Sequence, residues 1–432
     1  MSVSRFLFVV PPLVGHINPT VGLANRLTRQ GHEVAWAGHV ELVRRLAGPD
    51  ARVLPCAVPD AGGAATERPA ELRGPAALKF LWETFLVPLA EAMMPGVEAA
   101  VDRFEPDVLV VDQQAVAGAV VAQARGIPWA TSATTAAELA DPLGAMPKVA
   151  SWVRELLLGL ELRHGDPNAA SSGRYQGTYG DLRFSPYLVL AYSTAELSGC
   201  PAELEDTLRY VGPSITQRPS DRAFPWHLLP DADTSPLVLI SLGTANADAG
   251  GDFLRACAEA MRERPDYYAV MVDPAGAVTD PPANVLVVEY VPQLELLPRT
   301  NAVICHAGQN TVCESLYHGV PLLVAPIRDD QPIVAQQAVD AGVAERLRFG
   351  RVRPAQIAEA LDRLLAEKSP YRAAAQRVSE SFQAAGGADA AAQHLVRLAE
   401  ATRGPRELEG PVCIHASRKL GVEQQAAGVA EL

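Results

Sequence analysis

The sequence has few cysteines and no CxxC pair. The six cysteines are scattered along the chain at positions 56, 200, 257, 305, 313 and 413. Zinc frameworks and dense disulfide scaffolds both need cysteines at short, regular spacings. The sequence therefore argues against both classes of protein.

Positive charge and long apolar runs are also scarce. Lys plus Arg number 37 against 50 for Asp plus Glu, a formal net charge of −13, which disfavours binding to nucleic-acid phosphates or a polybasic membrane contact. No apolar run approaches the ~20 residues that span a bilayer. The apolar stretch near the N-terminus is short and is broken by Pro11 and Pro12, so we interpret it as a strand rather than a signal peptide. We expect a cytoplasmic protein with no nucleic-acid partner and no stable membrane insertion.

Two phosphate-binding fingerprints are missing as well. Neither GxGxxG nor GxxxxGK[ST] occurs, so the sequence does not support a nicotinamide-dependent dehydrogenase or a P-loop kinase. The adjacent Asp329 and Asp330 do not form the DxD pattern that metal-dependent transferases use.

What the chain does have is apolar material for large cores, at 48% of 432 residues, enough for two or three domains. Short apolar runs such as residues 6–10 and 107–112 alternate with helical patterns, which predicts parallel sheets covered on both faces. For the first helix we predict residues 19–30, with Asn18 as its N-cap and Pro19 at its first position.

A polar, proline-rich segment separates two such sets of strands and helices. We therefore predict an α/β protein with two doubly wound, Rossmann-like domains facing each other across a cleft. The predicted boundaries are residues 1–215 for the first domain, 216–234 for the linker and 235–385 for the second domain. Residues 386–402 are predicted as a helix that returns to the first domain, and the tail 403–432 receives no function.

Polar residues follow several of the predicted strands, where ligands of parallel sheets bind. His16 comes shortly after the first strand, and Asp112 ends the strand 107–112. A paired carboxylate orients an imidazole and stabilises its protonated form, so the two residues predict a His–Asp base. The alternatives are a histidine that bonds its own loop and an aspartate that caps the following helix.

A second polar segment, His306-Ala-Gly-Gln-Asn-Thr-Val-Cys-Glu314, joins a strand to a helix. Free N–H groups and the positive end of the helix dipole favour an anion there, and His306, Asn310 and Thr311 add donors for a diphosphate. The competing interpretation is structural, because Thr311 and Glu314 have the spacing of a capping box.

Two further strand ends carry candidate contacts for a nucleotide sugar. Tyr290 offers a ring that a base could stack on, although an aromatic residue there can equally belong to the core or its rim. Asp330 and Gln331 suit sugar hydroxyls, which need both donors and acceptors, or else an aspartate at 329 or 330 simply caps the next helix.

Two stretches of the sequence resemble a known family. The resemblance lies in GHINPTVGLANRL near the start and in YVPQ…HAGQNTVCESLYHGVPLLVAPIRDDQ near the end. The family is that of the family-one, GT-B-fold glycosyltransferases. Within the family, the sequence most resembles the bacterial macrolide and carotenoid glycosyltransferases. The resemblance extends to about residue 400. Plant members of the family have Trp at the position of Tyr290, so the identity of the nucleobase, uridine or thymidine, stays open. They also have Trp at the position of Gln309, so the sugar contact at that position stays open as well.

The resemblance implies inverting, metal-independent transfer from a nucleoside diphosphate sugar, with no cofactor beyond that co-substrate. His16 corresponds to the base and Asp112 to its partner. Glu314 corresponds to the carboxylate that holds the ribose. The implied nucleotide-sugar contacts are Ser241, Gly243, Thr244, Tyr290, Val291, Gln293, His306, Gly308, Asn310, Thr311, Glu314, Asp330 and Gln331.

We expect a hydrophobic small-molecule acceptor that binds the first domain through the apolar segments 76–97 and 137–160. The attacking group is expected to be a hydroxyl, and the protein a monomer or homodimer. Two rival functions remain: a nucleotide-sugar epimerase on the same scaffold, which needs no acceptor, and a non-catalytic auxiliary protein, which should lack the base or part of the diphosphate motif.

Overall fold

The computed structural model describes residues 2–58, 74–140, 146–165, 181–201, 204–216, 223–231, 234–243 and 250–402. Within these ranges two separate parallel sheets form, one in each half of the chain. The expected α/β architecture of two doubly wound halves is therefore confirmed.

The first sheet has, in the described residues, seven parallel strands in the order β3-β2-β1-β4-β5-β6-β7. Its strands are Arg5–Val9 (β1), Glu33–Gly38 (β2), Val53–Pro55 (β3), Val108–Asp112 (β4), Trp129–Ala133 (β5), Val189–Ala191 (β6) and Leu208–Tyr210 (β7). The second sheet has, over the same coverage, six parallel strands in the order β10-β9-β8-β11-β12-β13. These are Leu237–Ser241 (β8), Tyr268–Val272 (β9), Val285–Val288 (β10), Ala302–Cys305 (β11), Leu322–Val324 (β12) and Ala344–Arg346 (β13).

Helices connect these strands and cover both faces of each sheet. In the first half they are Val14–Arg29 (α1), Val40–Ala47 (α2), Gly74–Lys79 (α3), Val87–Phe104 (α4), Ala117–Arg125 (α5), Pro147–His164 (α6) and Ala195–Ser198 (α7). In the second half they are Gly251–Arg262 (α8), Gln293–Leu296 (α9), Gln309–Tyr317 (α10), Gln331–Asp340 (α11), Pro354–Leu365 (α12), Pro370–Ala384 (α13) and Gly387–Ala401 (α14).

Alternate residues of the central strands supply two different cores. Leu7 and Val9 of β1 point to the core that contains α4 and α5. Phe6 and Phe8 belong to the core on the opposite face. All four are fully buried. This two-sided burial explains why the strands read as continuous apolar runs.

The opposite face is closed partly by the last helix, α14, from the far end of the chain. Ala392, Leu395 and Ala399 of α14 lie in the same core as Phe6 and Phe8. The chain thus crosses between the halves twice, at residues 211–216 and again at 385–387. The crossings touch where the Gly387 N–H donates to the Val211 carbonyl at 2.6 Å.

A long helical stretch, Ala76–Phe104, has the length and hydropathy of a membrane-crossing helix. It runs through α3, a π-helical turn at Phe80–Leu86 and α4. Leu89, Met93 and Val97 are fully buried against the first sheet. This packing is that of a core helix.

We predict that Gly96→Ala destabilises the first half. A Cβ at Gly96 would lie 2.7 Å from the Cys56 Cα and 2.9 Å from the Pro55 carbonyl oxygen, which are backbone atoms that cannot rotate away. The expected loss is about 1–3 kcal/mol in the free energy of unfolding.

Gly159→Ala in α6 is the matched control, because its Cβ would meet only the flexible end of Arg163, at 3.2 Å. Higher helix propensity should leave that variant neutral or more stable by up to ~1 kcal/mol. Chemical denaturation measures both, and equal effects at the two glycines would contradict the packing argument.

Candidate active site

The first helix begins five residues earlier than the sequence predicted. It starts at Val14, so Pro19 lies inside it, and Asn18 is buried within the helix instead of capping it. The prediction failed because it placed Pro19 at the first helical position, whereas the helix contains Pro19 at its sixth residue. His16 consequently stands on the first turn of a helix and not on a loop.

His16 and Asp112 are in contact. The His16 Nδ1 atom lies 2.9 Å from Asp112 Oδ1 and 3.1 Å from Oδ2. The two residues meet because β1 and β4 are parallel neighbours, with Val9 paired to Val111, so both strands end at the same edge. Burial alone would lower the pKa of His16, but the charge and hydrogen bond of Asp112 raise it above its usual value.

Asp112 is completely buried and has further partners. Its Oδ1 accepts the Gln114 N–H at 2.9 Å, and its Oδ2 accepts the Thr134 hydroxyl at 2.7 Å. The next helix, α5, begins only at Ala117 and its N-cap is Val116, so Asp112 does not cap it. That structural alternative is therefore wrong.

Thr134 is a member of this cluster that the sequence analysis missed. Its Oγ1 lies 2.8 Å from His16 Nδ1 as well as 2.7 Å from Asp112 Oδ2. With its proton donated to the carboxylate, the hydroxyl oxygen can accept from the same Nδ1–H that faces Asp112. This leaves the His16 Nε2 atom as the acceptor of the imidazole. The one available signal was position: Thr134 directly follows β5, the strand beside β4.

His306 sits at the end of β11 between two glycines. A Cβ on Gly243 would lie 2.8 Å from His306 Cε1, and one on Gly308 would lie 2.4 Å from Nε2. Both glycines are therefore required by the close packing of the ring. Thr244, the next predicted contact, lies outside the described residues, while Ser241 is buried at the end of β8.

The imidazole of His306 is uncharged at neutral pH. Burial, together with the nearby Arg328 charge, lowers its pKa to about 4, and the Ser241 backbone opposes the shift only in part. Positive potential at this segment thus comes from the N-terminus of α10 and from the nearby Arg328, and not from a charged histidine.

The capping-box interpretation of Thr311 and Glu314 is wrong. Helix α10 starts at Gln309 with Gly308 as its N-cap, so both residues lie inside the helix. Glu314 is buried, and its Oε2 accepts the Gln293 side-chain N–H at 2.6 Å. Glu314 and Gln293, two of the predicted nucleotide contacts, are thereby brought together.

Two further predicted nucleotide contacts precede α9. Val291 is buried, whereas Tyr290 keeps 37% of its surface exposed.

Asp330 and Gln331 behave differently from each other. The Gln331 Oε1 atom accepts the N–H groups of Ile327 and Arg328 at 2.9 and 3.0 Å, so this amide shapes its own loop. Burial raises the pKa of Asp330 to about 6, helped by Asp329 and opposed by His16. Asp330 stands at the N-cap of α11 but makes no side-chain capping bond.

Glu138 adds a second carboxylate to this neighbourhood from the first half. It acts electrostatically on both His16 and Asp330. Its own charge is balanced by the partly buried Arg183, whose Nη1 lies 3.0 Å from Glu138 Oε2. His16 and Asp330, which come from different halves, are therefore close enough to influence each other's ionisation.

The two halves also touch directly at the site. The Asn310 Nδ2–H donates to the Gly15 carbonyl oxygen at 3.0 Å, next to His16. A cavity of about 20 Å³ beside this contact is lined from both halves, by Thr134, Tyr192, Gln309, Asn310, Cys313 and Glu314 among others. The helix turn that carries His16 and the first turn of α10 are thus in contact at the boundary between the two halves.

The predicted acceptor segments are mostly core. Trp82, Phe85 and Met93 are buried against the first sheet. Met146 and Leu158, on or beside α6, keep about two fifths of their surfaces exposed, 40% and 39%. Among the apolar residues predicted to contact an acceptor, Met146 and Leu158 are therefore the most exposed to solvent.

Comparisons with known proteins agree with this arrangement. Residues 270–398 match the C-terminal domain family of erythromycin biosynthesis protein CIII-like proteins. The chain is 26% identical over 397 residues to the NDP-glycosyltransferase YjiC of Bacillus subtilis (strain 168), covering 89% of this chain and 94% of that one. It is 27% identical over 409 residues to 4'-demethylrebeccamycin synthase of Lentzea aerocolonigenes, covering 88% and 96%.

Solved structures show the same fold. The calicheamicin glycosyltransferase CalG4 superposes with a TM-score of 0.72 at 22% identity, covering 94% of this chain and all of that one. The spinosyn rhamnosyltransferase SpnG, solved with thymidine diphosphate, gives a TM-score of 0.70 at 24% identity over 91% of this chain and all of that one.

The two parallel-sheet domains have the fold of the GT-B glycosyltransferases. Over most of its length the chain is similar to proteins named as NDP-glycosyltransferases, and residues 270–398 match the EryCIII-like C-terminal domain family.

We predict that Thr134→Val raises the pKa of His16 further. The hydroxyl neutralises part of the Asp112 charge, so its loss strengthens the attraction between that carboxylate and the imidazolium. Titration of the imidazole by NMR on histidine-labelled protein measures the shift, with His16→Gln used to assign the signal. Thr134→Ser keeps the hydroxyl and should match the wild type. An unmoved titration in Thr134→Val would contradict this role.

Proposed function

We propose that the chain transfers a sugar from a uridine or thymidine diphosphate donor to a hydroxyl of a hydrophobic natural product, with inversion at the anomeric carbon. The observation that carries the proposal is the His16–Asp112 pair, which lies beside the N-terminus of α10 because Asn310 bonds to the Gly15 carbonyl. Inversion needs an attacking oxygen and a leaving group on opposite sides of the same carbon.

His16 is the general base of the proposed reaction. Its Nδ1–H is held by Asp112 and Thr134, so Nε2 is the atom that takes the acceptor's hydroxyl proton. The negative charge of Asp112 stabilises the imidazolium that forms during the transfer. As the proton moves, the acceptor oxygen forms a bond to the anomeric carbon and the bond to the diphosphate oxygen breaks.

The departing diphosphate is stabilised by the first turn of α10. Its free N–H groups and helix dipole favour an anion, and the uncharged imidazole of His306 contributes hydrogen bonding instead of a full charge. Because protein groups supply this stabilisation, we propose that the transfer needs no divalent metal. Asp330 is mostly ionised at neutral pH even with its pKa raised to about 6, so it accepts hydrogen bonds from the donor-sugar hydroxyls.

The natural-product class of the acceptor is supported by the relatives. One matched protein is named as a demethylrebeccamycin synthase and another as a demethyllactenocin mycarosyltransferase. A thymidine donor is supported by the structural neighbours solved with that diphosphate. The partly exposed ring of Tyr290 is our candidate platform for the base of the nucleotide.

We predict that His16→Ala lowers the transfer rate by roughly 10²–10⁴-fold, the usual contribution of a general base. In the wild type, kcat/KM should rise with pH through a value above the ~6.5 typical of histidine, because Asp112 raises the His16 pKa and only the neutral imidazole accepts a proton. Product formation with a panel of donors and phenolic or macrolide acceptors measures both.

His227→Ala, which removes an exposed histidine, is the control and should retain wild-type activity. Wild-type transfer by His16→Ala would end the base assignment. Running the assay with EDTA tests the metal independence, and donor incubated without acceptor should remain unchanged if the protein is not an epimerase.

Glu314→Ala is predicted to weaken nucleoside diphosphate binding by about tenfold or more, because a buried carboxylate that bonds ribose hydroxyls makes charge-assisted contacts. Isothermal titration calorimetry with uridine and thymidine diphosphates measures the affinity. Gln293→Ala removes the partner that holds Glu314 in place and should show a smaller loss of the same kind. Unchanged affinity in both variants would move the ribose site elsewhere.

A further inference from the structure

Pro19 leaves one carbonyl of α1 without its helical donor. In a regular helix the N–H of residue 19 would bond to the carbonyl of Gly15, four residues earlier, but proline has no N–H. The N-cap residue, Leu13, makes no side-chain capping bond either. The first turn of the helix that carries His16 is therefore held by fewer bonds than usual.

The missing bond is supplied from the other half of the protein. The side-chain amide of Asn310, on the first turn of α10, donates to the Gly15 carbonyl oxygen at 3.0 Å. This carbonyl shares a rigid peptide plane with the N–H of His16. A bond that fixes that plane also fixes the direction in which the His16 side chain leaves the backbone.

We propose that Asn310 is a positioning residue for His16: it completes the hydrogen bonding of the base-bearing helix that Pro19 interrupts. The inference rests on the proposed function for its kinetic consequence. Asn310 lies on the helix turn proposed to bind the diphosphate, so correct placement of the base depends on the two halves being in contact at the donor site. The role is separate from any contact that Asn310 makes with the donor.

The size of the effect follows from the exposure of Gly15. Water can reach its carbonyl when Asn310 is removed, so the bond contributes the modest amount of an ordinary hydrogen bond. We expect Asn310→Ala to lower kcat by about tenfold at saturating donor and acceptor, which corresponds to the upper range of one such bond.

Pro19→Ala provides the decisive second variant. Alanine restores an N–H at position 19, which can bond to Gly15 within the helix and makes the Asn310 bond redundant. In the Pro19→Ala background, Asn310→Ala should lower kcat by less than about threefold. An equal fall in both backgrounds would overturn the proposal, because a role confined to the diphosphate cannot be repaired from α1. No fall in either background would overturn it as well.

Thr311→Ala is the matched control on the same helix. It lies one residue from Asn310, and no hydrogen bond joins its side chain to the first half among the described contacts. A loss caused by Thr311→Ala should be the same in the wild-type and Pro19→Ala backgrounds. Rescue of both variants would make the repair unspecific and count against the proposal.

Hydrogen exchange tests the same contact without relying on transfer. Asn310→Asp keeps the size of the side chain but removes the donor, so amides of residues 14–18 should exchange faster in the nucleotide-free protein. Unchanged exchange there would overturn the proposal even if Pro19→Ala failed to fold. Wild-type protein that exchanges as expected but transfers no sugar would contradict the proposed function and leave the contact intact.

Discussion

Asp112 ends a strand of apolar residues and has no contact with solvent, and the arrangement around it follows from that burial. An ionised carboxylate removed from water is costly, by several kcal/mol, unless donors surround it. The donors here come from three places: the backbone of Gln114, the hydroxyl of Thr134 and the ring of His16. Each lies at the carboxyl end of the sheet, because β1, β4 and β5 are adjacent and parallel. The register of the strands thus determines the orientation of the imidazole.

The second half solves a different electrostatic problem. To bind the diphosphate of the proposed donor it has to favour an anion without a charged His306, because burial lowers the pKa of that imidazole. The fold meets this need with a helix N-terminus, whose partial charge requires no ionisable group. Gly243 and Gly308 let the neutral ring pack tightly beside that turn. The proposed base and the proposed anion site therefore differ in kind: a carboxylate tunes the first, and backbone geometry shapes the second.

The sequence predicted most of this architecture and only part of the site. The apolar runs at residues 6–10 and 107–112 and the helix at 386–402 agree with the structure to within one residue at each end, because apolar runs and clear helical periodicity leave little choice. Short edge strands such as β3 and β7 have too few residues for a pattern and were not predicted. The start of α1 was wrong because a proline is compatible with several positions near a helix N-terminus. No sequence motif marks Thr134, because it meets Asp112 only when β5 pairs with β4.

The return of α14 to the first sheet has a consequence for how the protein is made. Phe6 and Phe8 are among the earliest residues synthesised, yet part of the cover on their face comes from residues 387–401. During translation that part of the apolar face stays exposed until α14 has been synthesised. A first half cut at the linker would lack α14, so an intact core on this face needs residues from the far end of the chain.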